Sequence, residues 1–163
     1  MQNSFEPAIR AVLEWEGGYV HDENDPGGET KFGISKRQYP KLNIAKLTKD
    51  KARKIYRRDY WSPAGCDELP AGLDLFMCDT AINTGVDQAL LFLQDVVNTK
   101  QDGIWGPKTK AAALAMDVRK AIWELVARRA TFYPDLRVWD DYGLGWMRRT
   151  AEMHQQALKI VKQ

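Results

Sequence analysis

Residues 14–34, EWEGGYVHDENDPGGETKFGI, place three oxygen-bearing side chains within one short stretch. Glu16 stands at the end of a short apolar segment. Asp25 lies in the acidic, Pro/Gly-rich run that follows, and Thr30 closes it. A proton donor, a second carboxylate and a hydroxyl that orients water are the parts that hydrolysis of a glycosidic bond requires. These groups can cooperate only if the elements carrying them hold Glu16 away from bulk water and fold the later residues back toward it.

The first element is a helix ending at Glu16. With Phe5 set at zero and about 100° per residue, Ile9 falls near 40°, Val12 near 340° and Glu16 near 20°. Glu16 therefore continues the apolar arc of Phe5, Ile9 and Val12. Glu14, at about 180°, joins Arg10 on the polar side and reads as a solvated charge. A carboxyl on the core side is desolvated, which disfavours its charged form and suits it to act as a general acid. A structural role for Glu16 stays open: it would cap the helix end or pair with a buried arginine such as Arg128 or Arg149. Gly17-Gly18 ends the helix and leaves room for a bulky ligand.

The second element is the loop from His21 to Thr30, whose Pro, Gly, Asn and Asp content forces turns. A calcium loop is excluded. Asp22-x-Asn24 begins that pattern, but Pro26 falls at the next ligand position and Gly33 where the bidentate glutamate belongs. A hairpin-like excursion would carry Asp25 and Thr30 back across a cleft from Glu16. Asp25 would then assist a water or stabilise an oxocarbenium-like transition state, with Thr30 orienting the water. The alternatives are an Asx-turn at Asp25 ahead of Pro26 and simple strand pairing at Thr30.

The run Glu16-Gly17-Gly18-Tyr19, followed by Asp25-Pro26-Gly27-Gly28-x-Thr30-x-x-Gly33-Ile34, resembles the signature of family-108 glycoside hydrolases. These are bacterial and phage N-acetylmuramidases, some described as secretion activator proteins. The resemblance implies lysozyme-type cleavage of the β-1,4 bond between N-acetylmuramic acid and N-acetylglucosamine, with the catalytic role on Glu16. The Glu…Asp…Thr order is also similar to the triad of phage lysozymes, although Thr30 stands at a slightly different local spacing. The segment Asp102-Gly103-Ile104-Trp105-Gly106-Pro107-Lys108-Thr109 resembles the DGxxGPxT turn of small helical peptidoglycan-binding modules. There, Thr109 can cap the next helix and Ile104 and Trp105 can plug the core. Gly145-Trp146-Met147-Arg148-Arg149 is similar to a GWxxR pattern of the same family.

The remainder reads as helices between Pro/Gly punctuation. Thr48 caps a helix over 49–60 that Trp61-Ser62-Pro63 ends. Further helices are expected at 73–83, 86–98, 118–133 and 146–161, with Gly143–Arg149 linking the last two. Only 19–22 and 30–35 have extended character. The expected fold is mainly α: a lysozyme-like helical domain of six or seven helices with a small β-hairpin carrying the active-site loop. Residues 1–90 would form the catalytic region and 91–163 a peptidoglycan-binding-like helical region, packed as one globular unit. Tyr19 is the expected sugar-stacking residue, beside Trp15, Tyr60 and Trp61 in the proposed cleft. Asp79 and Asn83, four apart on one helix, are expected to line it, although Asn83 also reads as a helix-end residue.

Composition bounds the partners. The chain has 163 residues, 24 basic and 22 acidic side chains and a net charge of +2, which does not argue for nucleic acid. It holds no apolar run of membrane-spanning length, so stable membrane insertion is not expected. Cys66 and Cys78 do not make a disulfide framework, and two histidines without a Cys-x-x-Cys do not make a zinc site. Neither metal nor cofactor is expected. The start, MQNSFEPAIR, lacks the pattern of a secretory signal. The resemblance then implies synthesis in the cytoplasm and release to the cell wall, through a holin pore or another export route, onto peptidoglycan glycan strands. Two other classes fit the same residues: a lytic transglycosylase using Glu16 alone, and a non-catalytic peptidoglycan-binding or secretion-helper protein.

Overall fold

The structure is a computed structural model that describes residues 5–16, 18–20 and 28–161, with Glu16, Tyr19 and Val20 described by backbone alone. Among these residues the chain is mainly α-helical, with one small antiparallel sheet. Helix α1 (Phe5–Glu16) is followed by strands β1 (Tyr19–Val20), β2 (Thr30–Lys31) and β3 (Ile34–Ser35). Then come α2 (Lys49–Tyr56), α3 (Leu73–Thr84), α4 (Val86–Val96), α5 (Pro107–Ala115), α6 (Val118–Phe132) and α7 (Trp139–Val161). The arrangement is the lysozyme-like one expected, a small sheet lobe beside a helical body.

Helix α1 buries the arc that periodicity assigns to it. Phe5, Ala8, Ile9, Ala11 and Val12 are all in the core, whereas Glu6, Arg10 and Glu14 are exposed. Helix α3 is buried from Leu73 to Ala81, with the polar Asp74, Asp79 and Thr80 among its buried residues, and forms the centre of the body, packed against α1, α4, α6 and α7. A helix surrounded in this way shows almost no amphipathic signal, because none of its faces is solvated.

Local chemistry sets the helix starts. The Thr48 hydroxyl accepts from Lys51 N at 3.3 Å, and Asp117 accepts from Lys120 N at 2.8 Å. The helix over 49–60 continues as a π-turn through Arg57–Trp61 before the chain turns away.

Three expectations are corrected. Extended character over 30–35 is interrupted by a two-residue turn, Phe32-Gly33, with φ of 53° and 73°. Both central residues at positive φ match a hairpin turn that follows strand twist, which needs glycine in at least one place. The supposed link Gly143–Arg149 is helical, since α7 begins at Trp139 and runs through it. Gly143 is there for packing: a Cβ would lie 2.5 Å from the Trp139 ring. Thr109 does not cap α5, whose N-cap is Gly106 with Pro107 at its first turn.

Thr109 is instead buried, and with it Gln94 organises the turn at 102–109. The Gln94 amide donates to Asp102 Oδ1 (2.9 Å), Ile104 O (3.0 Å) and Thr109 Oγ1 (3.3 Å). Its carbonyl accepts from the N–H groups of Asp102 (3.0 Å) and Gly103 (2.9 Å). Trp105 packs on Gly65, where a Cβ would meet its ring at 2.3 Å, and donates to Glu68 Oε1 at 2.9 Å. Ile104 is exposed and plugs nothing.

Candidate active site

Helix α1 delivers the backbone of Glu16 to its C-terminal end, and Gly18 has open space where a Cβ would stand. Three residues beyond Glu16 the chain enters β1. Val20 of β1 pairs with Thr30 of β2, and Tyr19 with Lys31. Thr30 is thereby set beside the strand that follows α1. Thr30 also pairs with Ser35 of β3. It is half-buried at the middle of the three-stranded sheet. Asp25 lies outside the described residues, as do the side chains of Glu16 and Tyr19.

The sheet is anchored to the body from the side opposite its loop. The Tyr56 hydroxyl of α2 donates to Phe32 O at 2.7 Å, at the tip of the β2–β3 turn. Lys31 Nζ reaches Ala45 O (2.9 Å) and Lys36 Nζ reaches Leu42 O (2.8 Å), pinning the segment after β3 onto the same lobe. Position 30 is therefore set by α2 as much as by the strands.

Asp79 does not line a cleft. Its carboxylate is 0% exposed and accepts from Arg129 Nη1 of α6 at 2.7 Å and from Arg149 Nε of α7 at 2.8 Å. Arg129 also donates from Nε to the Tyr133 hydroxyl (2.8 Å), and its guanidinium lies over the Phe76 ring. A sugar has no access to a carboxylate enclosed in this way. Its placement ties α3, α6 and α7 together. Asn83 does meet Asp79, as the four-residue spacing requires, and its amide donates to Asp79 O at 3.0 Å. Sequence alone gives no signal for this, because both arginines are distant in the chain.

Aromatic residues divide differently from expectation. Trp61 is 1% exposed, edge-on to Phe5 at 5.2 Å, with its indole N–H on Asp67 Oδ1 at 2.8 Å. It is core. The exposed stack lies instead on α7, where Tyr142 and Trp146 sit 6.2 Å apart at 23°, and Trp146 also meets Tyr133. Their i, i+4 spacing was the available signal.

A groove of about 770 Å³ runs between α1 and α7 along Arg10, Glu14, Trp15, Arg148, Glu152 and Gln155. On the α1 wheel Arg10 and Glu14 lie on the side opposite the buried arc of Phe5, Ile9 and Val12. Cys66 and Cys78 are buried free thiols, and burial raises the pKa of each well above the ordinary value. Neither is a thiolate nucleophile. Among the described residues no group of His, Cys, Asp and Glu side chains could hold a metal ion.

Residues 9–85 match the family model described as Glycosyl hydrolase 108. The chain is also similar to the solved structure of Brucella abortus SagA, at 36% identity and a TM-score of 0.91. That match covers 100% of this chain and 98% of the other. Among curated proteins, none matches the sequence.

Proposed function

The chain belongs to glycoside hydrolase family 108, which makes it a peptidoglycan-lytic glycosidase, and from that premise we propose that Glu16 is its general acid. The bond cleaved is the β-1,4 link between N-acetylmuramic acid and N-acetylglucosamine. The observation that carries this reading is the burial of Phe5, Ile9 and Val12, whose arc position 16 extends at the helix terminus.

In the proposed reaction the protonated Glu16 gives its proton to the bridging oxygen as the C1–O bond breaks. Positive charge develops on the ring oxygen and C1, and the Asp25 carboxylate stabilises it electrostatically. A water held by Thr30 adds to C1 and loses its proton to a carboxylate, which restores the acid. The pairing of Val20 with Thr30 sets Thr30 beside the strand that follows α1, which supports its part in this step. Tyr19 offers a ring for stacking on a sugar, and Asn83 remains a candidate for a contact at the end of α3. The division of labour proposed is chemistry in residues 1–90 and wall contact in residues 91–163. Delivery to the wall is proposed to occur through a holin-type pore or another export route.

Mass analysis of the soluble products from purified, lipid-free peptidoglycan tests the reaction. Reducing N-acetylmuramic acid ends are expected. Anhydro ends would assign a transglycosylase working through Glu16 alone, and unaltered glycan would assign a binding protein.

A further inference from the structure

The net charge of +2 conceals a strong separation of charge. Residues 31–58 hold eleven of the 24 basic side chains against one acid, Asp50, a balance of +10. The rest of the chain carries thirteen against twenty-one, a balance of −8. The segment is one body in space, because Tyr56 bonds Phe32, Lys31 bonds Ala45 and Lys36 bonds Leu42.

Among the described residues three of the eleven cations meet a carboxylate: Arg53 with Glu6, Arg57 with Asp67 and Arg58 with Asp59. Arg37, Lys41, Lys46, Lys49, Lys51 and Lys54 are exposed and form no ion pair among the described residues. Like charges gathered at this density repel one another and cost stability, a cost that an anionic surface laid against this face would relieve.

This face also has a groove of about 580 Å³. Its floor is Tyr39, Pro40, Leu42 and Ile55, and Lys41, Lys51, Lys54 and Arg58 stand around it. Lys51, Lys54, Ile55 and Arg58 follow i, i+3, i+4 and i+7, so the helical turn itself sets cations around an apolar strip. A soluble polyanion needs the cations alone. A cationic rim around an apolar floor fits an amphiphile with an anionic head.

We propose that the face built by residues 31–58 docks on the surface of an anionic phospholipid bilayer, with Lys41, Lys51, Lys54 and Arg58 on headgroups and the Tyr39–Leu42–Ile55 groove taking acyl-chain surface. The binding is peripheral. Among the described residues no helix is long and apolar enough to cross a membrane. The same lobe carries β2 and β3, so docking would hold the candidate active site close to the membrane face of the wall. The proposal goes beyond the hydrolase reading and does not depend on it.

Each basic side chain brought to an anionic leaflet raises partitioning roughly five-fold. The test is sedimentation of the full chain with phosphatidylglycerol/phosphatidylcholine vesicles and with phosphatidylcholine vesicles, at low and physiological salt. The variants are Lys51→Glu with Lys54→Glu, and a control reversal, Lys100→Glu with Lys108→Glu, outside this segment. Binding to anionic vesicles alone is expected, weakened by salt, lost by at least about 25-fold in the first variant and retained in the control. Equal binding to both lipids, no binding at low salt, or equal loss in both variants would overturn the proposal. So would binding of soluble polyphosphate by a protein that ignores vesicles. Clearing of lipid-free peptidoglycan by the Lys51/Lys54 variant should be unchanged, which separates this test from that of the hydrolase reading.

Discussion

Replacing Asp79 by Asn removes one negative charge from the centre of the helical body and leaves its shape intact. Arg129 is 0% exposed and Arg149 only 11% at the side chain, and both direct a guanidinium nitrogen at this carboxylate, at 2.7 and 2.8 Å. The amide that replaces it cannot neutralise either cation, and its NH2 group opposes donors with a donor. Breaking a buried pair by removing one partner costs about 3–5 kcal/mol, because the surviving charge stays desolvated. Here Arg129 loses the carboxylate that its Nη1 meets and Arg149 the one that its Nε meets, so the loss falls within that range. For a chain of this size each kcal/mol moves Tm by about 2–4 °C, so Asp79→Asn should melt roughly 6–20 °C below wild type. The measurement is urea and thermal unfolding followed by circular dichroism. Asp79→Leu combined with Arg129→Met removes one charge of each sign and should recover a substantial part of the loss. A stability for Asp79→Asn within about 1 kcal/mol of wild type would refute the reasoning. It would mean that the triad is solvated in solution and that Asp79 is free to meet a ligand.

Trp105→Ala should cost about 3 kcal/mol by emptying the space over Gly65 and releasing Glu68, read as a lower urea midpoint at unchanged slope. Tyr56→Phe removes the hydroxyl that holds the β2–β3 turn, at a cost of about 1 kcal/mol. Because Thr30 stands on that hairpin, wall clearing measured well below Tm should fall further than the stability change explains; an unchanged rate would contradict the positioning role. The hydrogen bonds from Lys110, and then from Trp105, hold the Glu68 carboxyl below its ordinary pKa of 4.5. A depressed folded pKa gives stability that is present above the unfolded value and lost as pH falls through the folded one. The Tm advantage of wild type over Glu68→Gln should therefore be full near neutral pH and disappear in strongly acidic buffer.

Sequence periodicity was sufficient where an element has one buried and one solvated face. Helix α1 shows Phe5, Ile9 and Val12 inside with Glu14 outside, as the wheel requires, and Thr48 caps α2 as its type and position imply. The core helix α3, expected over 73–83, spans Leu73–Thr84. It failed where long-range contacts decide. Nothing local marks Asp79 as the partner of two arginines fifty and seventy residues away. Gly143 and Gly145 read as a break, yet the Trp139 ring uses the missing side chain of Gly143 and the helix persists. Thr109 has the chemistry of a cap, but Gln94 claims its hydroxyl. A net charge summed over the whole chain likewise conceals the basic face, which only a count along the chain uncovers.

The central claim is that position 16 supplies the acid. Glu16→Gln keeps size and polarity and removes the transferable proton, so clearing of purified peptidoglycan by wild type and by this variant, with circular dichroism to establish folding, tests the claim directly. A folded variant that clears at least about a hundred-fold more slowly is the expected result. Clearing at the wild-type rate would place the acid elsewhere and contradict the account.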